Sequence, residues 1–254
     1  AEGVKWLLSL KINNFGGCLA DDMGLGKTLQ AIAFLSDARF KDSRNLIVTP
    51  KTLLFNWLKE FQKFLPDYNI YIYHGSDREL KNIHDAKIII STYGTVLNDI
   101  EFLREIKFEN LIIDEAQYVK NFESKSYKAL LNINANTKII MTGTPIENNI
   151  FEFWGLMKLV NFNIIPSLRA IKGLDESQFL NKMKLAAVCF VLRRTKKNVL
   201  SDLPEKQEQI LYCEMGESQR GLYQKILDSI RFELSRPNSR YEINYYVTPN
   251  IKYD

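Results

Sequence analysis

Asp21-Asp-Met-Gly-Leu-Gly-Lys-Thr28 carries two glycines, a lysine and a threonine within eight residues. The apolar run Cys18–Ala20 precedes it and the helical run Leu29–Leu35 follows it. A phosphate-binding loop needs that context of strand, glycine-rich turn and helix N-terminus. Glycine at Gly24 and Gly26 lets the backbone wrap so that its N–H groups converge on phosphate oxygens. The helix N-terminus adds positive potential at the same point. Lys27 supplies a point charge for the outer phosphates, and the Thr28 hydroxyl suits Mg²⁺. The general pattern asks for glycine at the position of Asp21, so the loop is a variant. A dinucleotide fingerprint does not fit, because Lys27-Thr28-Leu29 stand where its third glycine belongs. A surface turn that happens to spell Gly-Lys-Thr fits the flanking strand and helix poorly.

Outward from the loop, short apolar runs alternate with helical patterns. Strands are expected at Cys18–Ala20, Asn45–Thr49, Ile70–Tyr73, Lys87–Ser91, Asn110–Asp114 and Lys138–Thr142. They are rich in Ile, Val and Leu with little polar alternation, as strands buried on both faces are. Helices are expected at Lys27–Asp37, Leu53–Phe64 and Ser126–Leu131. This alternation predicts an α/β fold, with a mainly parallel sheet between helices. From about Asn149 the pattern turns helical, at Phe151–Val160, Ser177–Leu200 and Ser218–Leu234, with a strand-like stretch at Lys206–Tyr212. The expected organisation is an α/β lobe over residues 1–149, a helical protrusion and return segment of the same lobe over 150–234, and a loop or poorly ordered tail over 235–254.

Two further strand ends carry chemistry. Asn110-Leu-Ile-Ile-Asp114-Glu115 is an apolar strand ending in two carboxylates, and ligands of open parallel sheets bind at the carboxyl ends of strands. Asp114 is placed to serve the metal that the loop also sees. Glu115, on the other side of the chain, is placed to orient or deprotonate an attacking water. Met141-Thr-Gly-Thr-Pro145 follows the apolar run Lys138–Ile140 and could sense the outermost phosphate, although Thr-Gly-Thr-Pro also makes a plain turn.

Composition narrows the class without naming it. The chain has 254 residues, 46% hydrophobic and 25% charged, which is ordinary for a globular protein and excludes fibrous and disordered classes for its bulk. The net charge of +4 permits an anionic partner without requiring one. Charges break every apolar run short of the ~20 residues of a membrane span. The three cysteines are far apart and match no zinc spacing, as in a reduced, intracellular protein.

The ordered series Asp21–Thr28, Val48-Thr-Pro50, Ser91-Thr-Tyr93, Asp114-Glu-Ala-Gln117 and Thr142-Gly-Thr-Pro-Ile-Glu-Asn148 resembles the Snf-type (Swi/Snf) ATPases of helicase superfamily two. Gly3-Val-Lys-Trp-Leu7, Leu192-Arg-Arg-Thr-Lys196 and Asp202-Leu-Pro-Glu-Lys206 extend the likeness over nearly the whole chain to about Ile226. The resemblance implies the first of the family's two RecA-like lobes, the ATP-binding half of an ATP-driven translocase on double-stranded DNA. The second lobe, with its arginine fingers, and the adenine-reading glutamine just before Gly3 have no match here. It implies that Asp22 to Thr28 bind ATP and that Thr28 and Asp114 serve Mg²⁺. Lys27, Asp114 and Glu115 would be catalytic, and Gln117, standing where many members have His, would couple the site to DNA with Thr142, Gly143 and Thr144. Thr49, Pro50, Lys51, Ser91, Thr92 and Tyr93 resemble motifs that touch the DNA phosphate backbone. It also implies a cytoplasmic, nucleoid-associated protein in a bacterium and a nuclear one in a eukaryote.

Two other readings stay open at this level. The chain could be a nucleotide-binding interaction module without motor activity. A phosphate-loop kinase would need an acceptor lid and leaves Ser91-Thr-Tyr93 and Thr142-Gly-Thr144 without a role. Arg193 and Arg194 fit either the block leading toward a second lobe or a helix end favoured by the dipole.

Overall fold

The computed structural model describes residues 2–39, 43–143, 150–165, 176–199 and 215–234. The chain divides into two compact units, residues 1–203 and 204–254. In the first, β1 (Gly17–Leu19), β2 (Asn45–Thr49), β3 (Ile70–Tyr73), β4 (Ile88–Thr92), β5 (Phe108–Ile113), β6 (Ala135–Met141) and β7 (Val191–Leu192) form one sheet. Its order is β3-β4-β2-β5-β6-β1-β7, and every pairing is parallel.

Alternation within each strand feeds two cores. Cys18, Leu46, Val48, Leu111, Ile113 and Ile140 face one side, and Leu19, Ile47, Ile90, Ile112, Ile139 and Met141 the other. On the second side lie α1 (Glu2–Ile12), α2 (Lys27–Leu35) and α3 (Leu54–Phe64). Leu54, Trp57 and Phe61 of α3 fall on one helical stripe, and all are buried against the sheet. The other side takes α4 (Lys81–Asp85), α5 (Tyr93–Asn98), α6 (Ile100–Leu103), α7 (Lys125–Asn132), α8 (Ile150–Val160) and α9 (Glu176–Ala187), which contribute Ile83, Val96, Leu103, Leu130, Met157 and Met183. Helices on both faces explain why the strands read as continuous apolar runs.

Packing of the sheet continues past residue 149. Phe153, Trp154, Leu156 and Met157 of α8 belong to the same core as β1 and β6. The expected long helix over 177–200 is corrected. It stops at Ala187, a 3₁₀ turn covers Val188–Phe190, β7 follows, and α10 spans Lys196–Val199. Pairing with β1 overrides the helical reading: Cys18 and Leu19 are in register with Val191 and Leu192, and Ala20 N donates to Leu192 O at 2.7 Å. Short apolar runs carry no periodicity that separates strand from helix. In the second unit, α11 (Glu217–Leu234) is the described element, close to the expected span. The strand expected at Lys206–Tyr212 and the tail from residue 235 lie outside the described residues.

Candidate functional site

Every strand of the sheet runs the same way, so the segments that leave β1, β2, β4, β5, β6 and β7 share one edge. That edge holds the loop after β1, Thr49–Lys51 after β2, Thr92 and Tyr93 at the end of β4, Asp114 and Glu115 after β5, and Thr142 and Gly143 after β6. Thr144 lies outside the described residues.

In the loop, Gly24 and Gly26 hold φ of +87° and +72°, which a side chain would strain. Gly26 is the N-cap of α2, so the first turn of that helix opens at the loop. Lys27 Nζ folds back on the loop and donates to Asp21 O at 2.6 Å and to Asp22 O at 3.3 Å. A cavity of about 650 Å³ opens beside it. Gly24, Lys27, Thr28, Trp57, Asp114 and Glu115 are among its lining residues.

Asp114 and Glu115, expected on opposite sides of the chain, both line this cavity. A left-handed turn at Glu115, φ 49°, redirects the chain as it leaves β5. Asp114 is buried, and burial raises its carboxyl above the ordinary carboxylate range, the nearby Glu115 charge adding to this. Opposing the shift, Oδ2 accepts from Trp57 Nε1 at 2.8 Å and from Thr49 Oγ1 at 3.1 Å, while Oδ1 accepts from Glu115 N at 3.0 Å. A relay leads away from Glu115. Gln117 Nε2 donates to Glu115 Oε2 at 2.7 Å, and Thr142 Oγ1 donates to Gln117 Oε1 at 3.3 Å. A Cβ on Gly143 would approach Met23 Cγ to 3.2 Å, so this third strand end packs against the phosphate loop.

The residues expected to touch DNA divide. Thr49 and Ser91 are fully buried; Thr49 serves Asp114, and Ser91 Oγ donates to Tyr73 O at 2.8 Å. Thr92 caps α5, its Oγ1 accepting from Thr95 N at 3.3 Å. Pro50 is buried as well. These side chains serve the interior because they belong to or cap strands enclosed between two helical layers. Of the six, Lys51 alone is exposed. Tyr93 is half-buried, donates from its hydroxyl to Asp114 O at 2.5 Å, and stacks on the exposed Tyr118 at 5.9 Å.

The cavity suits a magnesium–nucleotide. The loop offers amides and a lysine ammonium, and Asp114 brings a carboxylate to the same space. Among the described residues no cluster of three or more His, Cys, Asp or Glu forms a metal cage. Magnesium held by one carboxylate, a hydroxyl, phosphates and water requires none. The helical stripe of α3 marks Trp57 as a core residue, and nothing local marks it as a donor. The indole's role was concealed because it meets Asp114 across 57 residues of sequence.

Comparison with known proteins agrees with this architecture. The model of the SNF2-related domain matches residues 1–248. ATP-dependent helicase fft1 of Schizosaccharomyces pombe is 36% identical over 253 residues, covering 89% of this chain and 27% of that protein. An uncharacterized ATP-dependent helicase of Mycoplasma genitalium is 36% identical, covering 88% of this chain and 23% of its own length. The SWI2/SNF2 ATPase core of Sulfolobus solfataricus, solved in complex with dsDNA, superposes with a TM-score of 0.71 at 34% identity, over 95% of this chain and 53% of that one. The fold is thus a single RecA-like phosphate-loop lobe of helicase superfamily two, with helical extensions. The chain belongs to the SNF2-related domain family. It spans about a quarter of the length of the two curated relatives and about half of that solved core.

Proposed function

We propose that this chain is the ATP-binding half of an ATP-dependent translocase on double-stranded DNA. The observation that supports it most is the convergence of Lys27, Thr28, Asp114 and Glu115 on one cavity at the carboxyl edge of the sheet. In this reading the lobe continues past residue 149 through α8 and α9 to β7. The match to a SWI2/SNF2 core solved with dsDNA supports the choice of duplex as partner.

The amides of Gly24 to Thr28 and the N-terminus of α2 bind the phosphates. Lys27 leaves the carbonyls of Asp21 and Asp22 and turns its ammonium to the β- and γ-phosphate oxygens. Thr28 and Asp114 would hold Mg²⁺, which would supply charge screening at the γ-phosphate. Trp57 and Thr49 keep Asp114 Oδ2 oriented. Glu115 orients the attacking water and accepts its proton at Oε1 or Oε2. Gln117 and Thr142 report that event to the next strand end, and Tyr93 ties Asp114 O to the side on which Lys51 meets a DNA phosphate. This sequence has no motif that supplies arginines opposite the loop, and such a group is worth about 10³–10⁵ in rate. The 254-residue chain by itself therefore turns ATP over very slowly, with little stimulation by DNA.

Steady-state phosphate release with saturating duplex DNA tests the proposal. Fused to a second RecA-like lobe of an SNF2 relative, the chain should become DNA-stimulated, and Glu115→Gln should abolish turnover while leaving ATP binding largely intact. Tight nucleotide binding with DNA-independent turnover in the fusion would instead identify a nucleotide-binding interaction module.

A further inference from the structure

Asp21 stands where the general phosphate loop has glycine, and its carboxylate is fully buried. A residue 173 positions away in sequence meets it. Arg194, just beyond β7, donates to Asp21 Oδ1 from its backbone N and from Nε, both at 3.0 Å, and its Nη2 pairs with Oδ2. Gln30 of α2 closes the ring. Its Oε1 accepts from Arg194 Nη2 at 2.7 Å, and its Nε2 donates to Asp21 Oδ2 at 3.2 Å and to Leu25 O at 3.1 Å. The backbone repeats the contact, with Asp22 N donating to Arg194 O at 2.9 Å and Lys196 N donating to Asp22 Oδ2 at 3.0 Å. Helix α1 roofs the cluster so closely that a Cβ on Gly3 would lie 1.8 Å from Gln30 Oε1.

The geometry points to Arg194 as a positioning residue of the phosphate loop, acting through Asp21 and Gln30 to hold the backbone from Asp21 to Leu25 in its binding shape. A loop with two glycines at positive φ is costly to order, and ordering it beforehand removes that cost from binding. A planar guanidinium suits the task, because one fork engages a carboxylate and an amide together where an ammonium cannot. The arrangement also accounts for the variant loop: aspartate replaces glycine where the chain supplies an arginine to receive it. The consequence for ligand affinity rests on the nucleotide-binding reading, whereas the clamp itself does not.

Removing Arg194 leaves a buried carboxylate unpaired and lowers stability too, so Arg194→Lys is the deciding variant. Hydrogen exchange of nucleotide-free protein reads the clamp directly. Amides between Asp22 and Thr28 should exchange at least tenfold faster in Arg194→Lys, while those of β2 and β5 stay unchanged. Equal exchange in the loop would overturn the proposal. Calorimetric titration with Mg·ADP, well below the melting temperature, then reads the consequence. Arg194→Lys should bind at least threefold more weakly and Arg194→Ala at least tenfold more weakly. Affinities within the error of wild type for a folded Arg194→Lys would show a purely structural cross-link and overturn the positioning role. Wild-type protein that bound no Mg·ADP would count against the nucleotide-binding reading, and the exchange result would still judge the clamp.

Discussion

Trp57 Nε1 donates to Asp114 Oδ2 at 2.8 Å, which ties the middle of α3 to the carboxylate that closes β5. The indole is 1% exposed, so one side chain both fills the core and orients a polar group at the cavity. Trp57→Phe keeps most of the apolar volume and removes the donor. Leaving a buried acceptor one partner short costs about 1–3 kcal/mol. The loss depends on pH with a definite sign. Burial raises the Asp114 carboxyl above its ordinary value while the indole N–H opposes that shift, so the variant raises it further. The penalty is largest where Asp114 is ionised, near neutral pH. It shrinks as pH falls and the carboxyl takes up its proton, above the ordinary value of about 3.9. Urea unfolding of both proteins from about pH 7 down to the ordinary carboxylate value of about 3.9 measures this; a penalty independent of pH over that range would place the effect in packing alone.

The cysteines give a second test. Cys18 sits on β1 with no exposed surface, and burial pushes its thiol up to about 12, Lys27 opposing weakly. Cys189 is exposed. A thiol reagent near pH 8, followed by peptide mapping, should modify Cys189 rapidly and Cys18 only at the rate of unfolding. The linkage runs the same way. The folded state keeps the Cys18 proton where an unfolded thiol, near pH 9, loses it, so this stability is complete below about 9 and declines as pH rises toward about 12. Cys18→Ala should flatten that alkaline decline in chemical denaturation.

Gly16, just before β1, is locked from three sides. A Cβ there would lie 2.2 Å from Lys138 O and 2.7 Å from Val160 O, both backbone atoms with little room to move. The Asn161 side chain also accepts from Gly16 N at 2.9 Å and donates to Gly16 O at 3.0 Å. Gly16→Ala should cost at least the ~1–3 kcal/mol typical of overpacking and shift the strand that feeds the phosphate loop. Asn161→Ala, which leaves two buried backbone groups unmet, should cost about as much. Thermal unfolding separates these variants from surface substitutions, which stay within about 0.5 kcal/mol.

Much of this was written locally in the sequence. β2 and β3 fall where the apolar runs put them, and α2 and α3 begin within one residue of their expected starts. Asp21–Thr28 announced a strand–loop–helix unit because its glycines and its flanks are contiguous. What escaped the reading is what tertiary contact decides. α1 was not among the expected helices, although its Leu7 and Leu10 are buried. β7 hid in a helical run because its two residues become a strand only beside β1. The buried side chains of Thr49 and Ser91 likewise depend on helical layers that no local pattern announces. Arg194 was legible as a charge but not as the partner of Asp21, since no spacing rule spans the separation between them.

In the proposed function, the cavity beside Gly24–Thr28 binds the phosphates of a nucleotide, with Lys27 as its principal charge. Lys27→Ala removes charge-assisted contacts worth roughly 1.5–3 kcal/mol. The direct measurement is a calorimetric titration of the chain and of Lys27→Ala with ATP in the presence of Mg²⁺. Saturable binding by the wild type and at least a tenfold weaker affinity in the variant are expected. Equal affinities, or no binding by the wild type, would rule out this role for the cavity.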